Sequence, residues 1–189
     1  DGDVVEASDG ITPVTFTGAV GSSFFVSVKH RNHLGAMTAT AISMSGTGTI
    51  VDFTSMNSTQ LWDRGLILAD GTLGSYDGSE QVLLGNGKMG LWAANARNAD
   101  NKVKYSGSAP DPASLLSQVI AFSANTGGVY NYDFVTPVYL TGDINMDGKV
   151  KYAGTSTDTA FILFNIINKY PNNLVNKSFN FDFMIEQIP

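Results

Sequence analysis

The sequence contains no cysteine, which excludes a disulfide framework, a thiol nucleophile and a thiolate zinc site. Charged residues are also scarce, at 15% of the 189 residues. The 11 Lys and Arg residues are outnumbered by 17 Asp and Glu residues, so the net charge is -6. Such a chain lacks the basic surface that a phosphate backbone requires, and nucleic acid is therefore not an expected partner.

Long apolar runs are missing as well. No stretch approaches the roughly 20 apolar residues needed to span a bilayer, and we expect no membrane-spanning segment. The chain opens at Asp1 without an initiator methionine, which we interpret as a processed or excised segment whose export signal or anchor lies outside it.

Glycine, by contrast, is abundant with 20 residues, and the many Ser, Thr and Asn residues likewise favour strands and turns. Apolar residues alternate with small or polar ones at 14–16, 24–30 and 37–44, the period of half-buried strands. We predict a mostly β fold with a small α part, in which an antiparallel β-sandwich-like domain (1–94) precedes a second region (95–189) that ends in a C-terminal strand. Residues 54–94 are compatible with short strands or with a helical turn.

The second region contains one motif twice, 47 residues apart. Both copies include LysValLysTyr, at 102–105 and at 149–152, and in both a polar loop precedes an apolar segment. Asp111 before Pro112 and Asp158 before Thr159 predict the N-caps of two helices. Apolar side chains occupy several faces of the second predicted helix, so we expect it to be well buried and to stop at Pro171.

The second copy has oxygen-bearing side chains at alternating positions, and Gly148 follows them at the sixth position. This is the opening of an EF-hand calcium loop, in which alternate side chains converge on one cation and glycine permits a sharp turn. Hard oxygen ligands favour Ca²⁺ over transition metals. The predicted ligands are the side chains of Asp143, Asn145 and Asp147 and the backbone carbonyl of Lys149.

The end of this loop departs from the EF-hand pattern. Position 12 is Gly154, and the next carboxylate, Asp158, comes four residues later. Asp158 is either a further ligand, reached by a longer loop, or only a helix cap. In the first copy Ala96 replaces the carboxylate of position 1, and Asn98, Asp100 and Asp111 remain as donors. The first copy is either a second, weaker metal site or a purely structural unit that packs against the second copy.

The paired loop-helix units resemble type I dockerins, which are extracellular calcium modules. Further short segments add to this pattern over nearly the whole chain, namely 1–5, 12–16, 29–35, 51–54, 90–93 and 186–189. With them the chain is similar to the C-terminal regions of large Bacteroidetes-type surface proteins labelled haemagglutinins. The resemblance implies a secreted or cell-surface protein with calcium loops. It implies adhesion only through the name haemagglutinin that such proteins carry. In that family further strands precede the segment matched at 1–5, so we expect another chain or a cleaved portion to supply strands by β-augmentation.

Other functional patterns are weak. His30 and His33 form HxxH, but on a strand this spacing points the rings to opposite faces, and hydrogen bonding within a turn is the simpler expectation. GlyAsnGlyLysMetGly at 85–90 lacks the ending of a phosphate loop and indicates a turn. No Ser, His and acid set follows a nucleophile elbow. A glycosidase carboxylate pair depends on spatial separation, and the sequence leaves it open. We expect a protein without enzymatic activity.

Several aromatic residues could stack on sugars or, alternatively, belong to the core: Trp62, Trp92, Tyr76, Tyr130, Tyr132 and Tyr139. Two functions are therefore compatible with the sequence. The first is an extracellular or bacterial cell-surface structural or adhesion module, stabilised by Ca²⁺ and bound to another protein chain. The alternative is a carbohydrate-binding module ancillary to a secreted enzyme.

Overall fold

A computed structural model describes residues 7–12, 14–16, 18–63, 66–67, 73–74, 80–97, 100–126, 131–169, 183–186 and 188–189. Its strands are short and its helices few, which confirms the predicted mostly β fold with a small α part. The strands are β1 (Ser23–Phe24), β2 (Ser27–Val28), β3 (Ala36–Met37), β4 (Ile42–Ser43), β5 (Leu66–Ile67), β6 (Leu73–Gly74), β7 (Val82–Leu83), β8 (Met89–Gly90), β9 (Lys102–Lys104) and β10 (Phe183–Ile185). The helices are α1 (Asp111–Ala121) and α2 (Asp158–Phe164), which continues as a π-helical segment (Asn165–Lys169), and a 3-10 turn spans Ser58–Gln60.

All strand pairs are antiparallel, and in the described residues each sheet has two strands: β1 with β4, β2 with β3, β5 with β6, β7 with β8, and β9 with β10. The predicted strands 24–30 and 37–44 are thus broken into shorter pieces, and 14–16 is not a strand. The break follows from Thr38, because its hydroxyl rather than a backbone carbonyl accepts the Val26 N–H at 3.1 Å. The chain then turns towards the 3-10 segment, where Ala39 N donates to Gln60 O at 2.8 Å.

Residues 85–90 form the turn and second strand of the β7–β8 hairpin, which confirms the predicted turn. Leu84 N donates to Lys88 O at 2.8 Å, and Gly87 has a φ of 79°. That left-handed conformation is accessible to glycine at little cost. The AspGly turn signals at 70–71 and 77–78 lie outside the described residues.

One hydrophobic core joins the two helices to β9, β10 and residues from the first half of the chain. The motif copies contribute to it in equivalent pairs, all fully buried: Val103 and Val150, Leu115 and Ile162, Val119 and Ile166. The remaining members are Leu34, Trp92, Ala94, Ala96, Ile144 and Met184. The sequence repeat is therefore also a structural repeat whose two helices pack on each other.

The prediction that the second helix is well buried was wrong for part of its surface. Ile162 and Ile166, four residues apart, lie on one face and enter the core. Phe161 and Phe164 are 38% and 47% exposed. Helix α2 buries one stripe against its neighbours, and Phe161 and Phe164 face outward.

The predicted C-terminal strand is present as β10, and it connects the first loop-helix unit to the first half of the chain. β10 pairs with β9, and Glu186 N donates to Asn101 O at 2.9 Å. The buried Glu186 carboxylate accepts Gly35 N at 2.6 Å and Lys29 Nζ at 3.0 Å. Among the residues that the structure describes, none of the helices has the length and apolar character needed to cross a bilayer.

Candidate functional site

The loop of the second motif copy (143–158), called the second loop below, ends at Asp158, which is the first residue of α2. Its Oδ1 accepts the N–H groups of Ile144 at 2.8 Å and Asn145 at 3.3 Å, and its Oδ2 accepts Lys151 N at 2.8 Å. Burial raises the pKa of this carboxyl, its backbone hydrogen bonds oppose that shift, and the nearby Asp143 charge adds to it. Asp158 thereby fastens the loop to the start of the helix.

This geometry corrects the predicted caps. Thr157 is the N-cap of α2, and its hydroxyl accepts Ala160 N at 3.1 Å, while Asp158 is already helical. In α1 Pro110 takes the cap position and makes no side-chain cap bond, and Asp111 is the first helical residue. The prediction that the two aspartates are N-caps was wrong, because their carboxylates turn back to bind loop amides. The role of Asp158 as a ligand stays a prediction.

Asp143, the predicted first ligand, is fully buried. Its Oδ1 accepts Asp147 N at 3.0 Å and its Oδ2 accepts Gly148 N at 2.9 Å. Gly148 has a φ of 83°, which a side chain would strain, so glycine lets the backbone wrap around the carboxylate. An ionised carboxylate offers about four acceptor positions, and about two therefore remain for another partner.

The predicted ligands at positions 3 and 5 lie against the same turn. Asn145 Oδ1 also accepts Asp147 N at 3.0 Å, and Asn145 Nδ2 donates to Asp147 Oδ2 at 3.2 Å. Asp147 Oδ1 accepts Lys149 N at 3.0 Å. The structure thus brings the side chains of positions 1, 3 and 5 together, and the backbone of Lys149 follows directly.

These residues fit a hard cation by their chemistry. Within the described part of the chain, neither Asp143 nor Asp158 forms an ion pair with Lys, Arg or His. Both are buried, and an uncompensated buried carboxylate is costly. The described residues contain no group of three or more His, Asp or Glu side chains arranged around one point. Calcium loops, however, also use amide and backbone oxygens, which this loop offers at Asn145 and Lys149.

The first loop repeats the closing contacts around Asp111. Its Oδ1 accepts Arg97 N at 3.0 Å and its Oδ2 accepts Lys104 N at 2.6 Å. Burial raises the pKa of Asp111 to about 6, against these hydrogen bonds, and the Asp100 charge adds to the shift. Asp100 Oδ1 accepts Lys102 N at 3.1 Å, the same bond that Asp147 makes in the second loop.

The first loop differs where the second wraps its position-1 carboxylate. The buried Ala96 stands at the place of Asp143, and Asn101, with a φ of 54°, stands at the place of Gly148. Asp100 has a cationic neighbour, because Arg97 Nη1 lies 3.7 Å from its Oδ2. Asn98 lies outside the described residues. A second, weaker metal site in this copy stays a prediction.

His30 and His33 come together, which corrects the prediction that they point to opposite faces. Their ring centroids are 4.6 Å apart and their Nδ1 atoms 2.8 Å apart. The chain turns at this point, since His33 N donates to His30 O at 3.1 Å. The Oδ1 of Asn32 lies 2.9 Å from His30 Nδ1 and 2.8 Å from His33 Nδ1. Burial lowers the pKa of His33 to about 4, and the neighbouring His30 adds to this shift.

Asn32 links the turn at residues 30–33, called the histidine turn below, to the second loop. Sequence reasoning missed this residue. Its backbone carbonyl accepts the N–H groups of Ala94 and Asn95, both at 3.0 Å. Its Nδ2 donates to the backbone carbonyl of Asp143 at 2.6 Å. Nothing in the spacing of the sequence indicates this contact, because its partners lie far along the chain.

Tyr139 and Arg31 extend the same junction. Tyr139 Oη lies 2.7 Å from His30 Nε2, and the Arg31 guanidinium lies 3.3 Å above the Tyr139 ring. Arg31 Nη2 also donates to Leu140 O at 3.1 Å. The histidine turn therefore packs on the segment that leads into the second loop.

The candidate sugar-binding aromatics do not form one platform in the described residues. Trp92 belongs to the core with 2% exposure, and Trp62 packs edge-on against Phe25 with centroids 5.7 Å apart. Tyr132 and Tyr139 are partly exposed. Tyr76 and Tyr130 lie outside the described residues.

An apolar groove of about 430 Å³ lies beside β1, lined by Phe16, Gly18, Ala19, Phe24, Phe25, Val26 and Met44. Phe16 is 77% exposed, and Phe24 and Phe25 are about half exposed.

Comparison of the chain with models of known protein families, with curated proteins and with solved structures gave no match.

Proposed function

We propose that this chain is an extracellular or bacterial cell-surface structural or adhesion module, stabilised by Ca²⁺ and bound to another protein chain. In this proposal the first region (1–94) is β-sandwich-like and the second (95–189) is a dockerin-like pair of loop-helix units. The observation that carries it is the buried pair of Asp143 and Asp158, whose charges act on each other and which has no cationic partner among the described residues. A bound divalent cation would compensate their charge.

The residues that would hold Ca²⁺ are those of the second loop. Asp143 keeps about two acceptor positions, and Asp158, with three backbone bonds, keeps about one. Asn145, Asp147 and the carbonyl of Lys149 complete an oxygen-only set. When bound, the ion would supply a fixed positive charge that orders the loop. Extracellular calcium modules bind at about 10⁻⁴ to 10⁻³ M, a range suited to calcium outside cells.

Calorimetric titration of the metal-free chain with Ca²⁺ tests this step, and the repeat supplies a matched control. Asp147 and Asp100 occupy the same position in the two loops and make the same bond to a following backbone N–H. We expect the wild type to bind one Ca²⁺ per chain, Asp147→Ala to lose binding, and Asp100→Ala to retain it. Equal Ca²⁺ binding by both variants would place the ion outside the second loop. Absence of Ca²⁺ binding by the wild type would contradict the calcium site altogether.

A partner strand is supported by the groove beside β1 and by the two-stranded sheets. An exposed strand edge is normally covered or paired, and an apolar groove next to it offers pockets for alternate side chains of an added strand. Phe16, Phe24 and Phe25 would contact such a strand. Carbohydrate binding has weaker support, because Trp92 is buried.

Affinity capture from a cell-surface fraction tests the protein partner, again with a matched pair. Phe24→Lys places a charge in the groove, and Ile50→Lys places one at a 94% exposed position that does not line it. We expect one defined surface protein to be captured by the wild type and by Ile50→Lys, and to be lost with Phe24→Lys. Glycan-array binding that Phe24→Lys leaves intact, without any captured protein, would support the carbohydrate-binding alternative.

A further inference from the structure

The histidine turn places three potential metal donors at one point, outside the calcium loop. We propose that His30 Nδ1, His33 Nδ1 and Asn32 Oδ1 bind a divalent first-row transition metal such as Ni²⁺, Co²⁺ or Zn²⁺. Imidazole nitrogen suits these ions, whereas calcium prefers oxygen alone. The site shares no donor atom with the second loop, although Asn32 Nδ2 binds the Asp143 carbonyl, and it does not depend on the calcium proposal.

The distances describe one face of a coordination polyhedron. The three donor atoms form a nearly equilateral triangle with sides of 2.8, 2.8 and 2.9 Å. Donors at right angles around an ion, at bond lengths of about 2.1 Å, lie about 3.0 Å apart. Three mutually close donors on one side of an ion are a facial set, which leaves its opposite side open.

Hydrogen bonding alone does not account for this triangle. Asn32 Nδ2 is engaged by the carbonyl of Asp143, so Oδ1 is the atom that faces the rings. If both rings carry a proton on Nδ1, two donors oppose each other. If one does, the lone pairs of the other nitrogen and of Oδ1 oppose each other. A cation would accept electron pairs from all three atoms.

The surroundings of His30 suit a metal ligand. Metal-binding histidines usually donate their second ring N–H to a neighbouring oxygen, which fixes the tautomer. Tyr139 Oη lies 2.7 Å from His30 Nε2 and can accept that proton, leaving the lone pair of Nδ1 free. Asn32 is held rigidly by its backbone and side-chain bonds, so its oxygen is preorganised.

Both histidines line a cleft of about 320 Å³, together with Lys29, Arg31, Asn95, Asn101 and Glu186, and the third donor, Asn32, is buried behind them. Lys29 is paired with Glu186 at 3.0 Å, which offsets its charge. Arg31 is engaged by Tyr139 and Leu140. The cleft leaves room for water or a small anionic ligand at the remaining coordination positions.

Titration of the wild-type chain with Ni²⁺ or Co²⁺, in buffer with excess Ca²⁺, tests the site. His30→Gln is expected to weaken binding at least about tenfold, and Tyr139→Phe about tenfold, because it removes the oxygen that accepts the proton of His30 Nε2. Circular dichroism and the unfolding midpoint report whether each variant still folds. Because His30 and His33 are the only histidines in the chain, NMR assigns their ring signals directly.

Paramagnetic Co²⁺ should shift the ring signals of both histidines in the wild-type chain, and this result stands even if a variant fails to fold. Saturable binding that both substitutions weaken supports the site. The proposal is overturned if no saturable binding occurs up to about 1 mM metal, if folded His30→Gln binds as tightly as the wild type, or if Co²⁺ leaves both rings unshifted.

Discussion

At the scale of single residues, the equivalent aspartates Asp111 and Asp158 each hold together the loop that precedes their helix. Each lies at the first residue of a helix, and each accepts backbone N–H groups from both arms of the loop before it. Burial raises the pKa of both carboxyls, because the charged form loses contact with water.

For Asp111 this shift predicts an unusual pH dependence. Its folded pKa of about 6 lies above the ordinary 3.8, so between these values the folded chain binds a proton that the unfolded chain does not. Its contribution to the free energy of unfolding should therefore rise as pH falls from about 6 to about 4, and level off below that. Denaturant unfolding of the wild type and Asp111→Asn at pH 7, 5 and 4 measures it.

The wild type should gain stability relative to Asp111→Asn over that window, on the order of 1–3 kcal/mol. Arg97 and Lys104 contact this carboxylate through their backbone N–H groups, and the Asp100 charge contributes to the raised pKa. In Asp100→Asn the window should consequently begin at lower pH. The raised pKa would be contradicted if the free energy of unfolding of the wild type, minus that of Asp111→Asn, decreased as pH falls from 7 to 4.

Gly142 gives a second test at the residue scale, just before the second loop. An added Cβ would lie 2.8 Å from Gln118 Oε1 and 2.9 Å from Val150 Cγ1. Gly142→Ala should therefore lower the free energy of unfolding by about 1–3 kcal/mol through overpacking. At Gly85 a Cβ meets nothing within 4 Å, and Gly85→Ala should stay within about 0.5 kcal/mol of the wild type in the same denaturant titration. Equal effects would contradict the packing described here.

At the scale of elements, the repeated loop-helix unit could be predicted from sequence and the strands only in outline. The repeat of LysValLysTyr located both loops, because in each copy the N–H of its second lysine, Lys104 or Lys151, donates to the aspartate that begins the following helix. The strands at 24–30 and 37–44 were predicted too long, since the Thr38 hydroxyl bond that interrupts them leaves no periodic signal. Helix α2 shows a similar limit, because apolar composition does not reveal that Phe161 faces outward.

The helix packing predicts a clear contrast between two apolar residues. Leu115 of α1 is fully buried in the core, and Phe164 of α2 is 47% exposed. Leu115→Ala should lower the free energy of unfolding by about 2–5 kcal/mol, because it leaves a cavity between the helices. Phe164→Ala should cost less than about 1 kcal/mol. Urea denaturation of both variants checks this, and a larger loss for Phe164→Ala would contradict the assigned faces.

At the scale of the whole molecule, contacts distant in sequence connect the candidate site to the rest of the chain. Asn32 binds the backbone of Asp143, and Glu186 ties the C-terminal strand to Lys29 and Gly35. These contacts explain why the site was only partly predictable. Oxygen donors of the second loop follow one another in sequence, whereas the histidine turn acquires its geometry from Tyr139 and from residues 94–95.

We propose that a cation compensates the buried charge of Asp143 and Asp158 and so stabilises the fold. The test is the thermal unfolding midpoint of the wild type, measured in millimolar Ca²⁺ and again in EGTA. At about 100 times the dissociation constant, Ca²⁺ should add about 2.7 kcal/mol and raise the midpoint by about 5–10 °C. An unfolding midpoint that is the same with calcium and with chelator would contradict the claim.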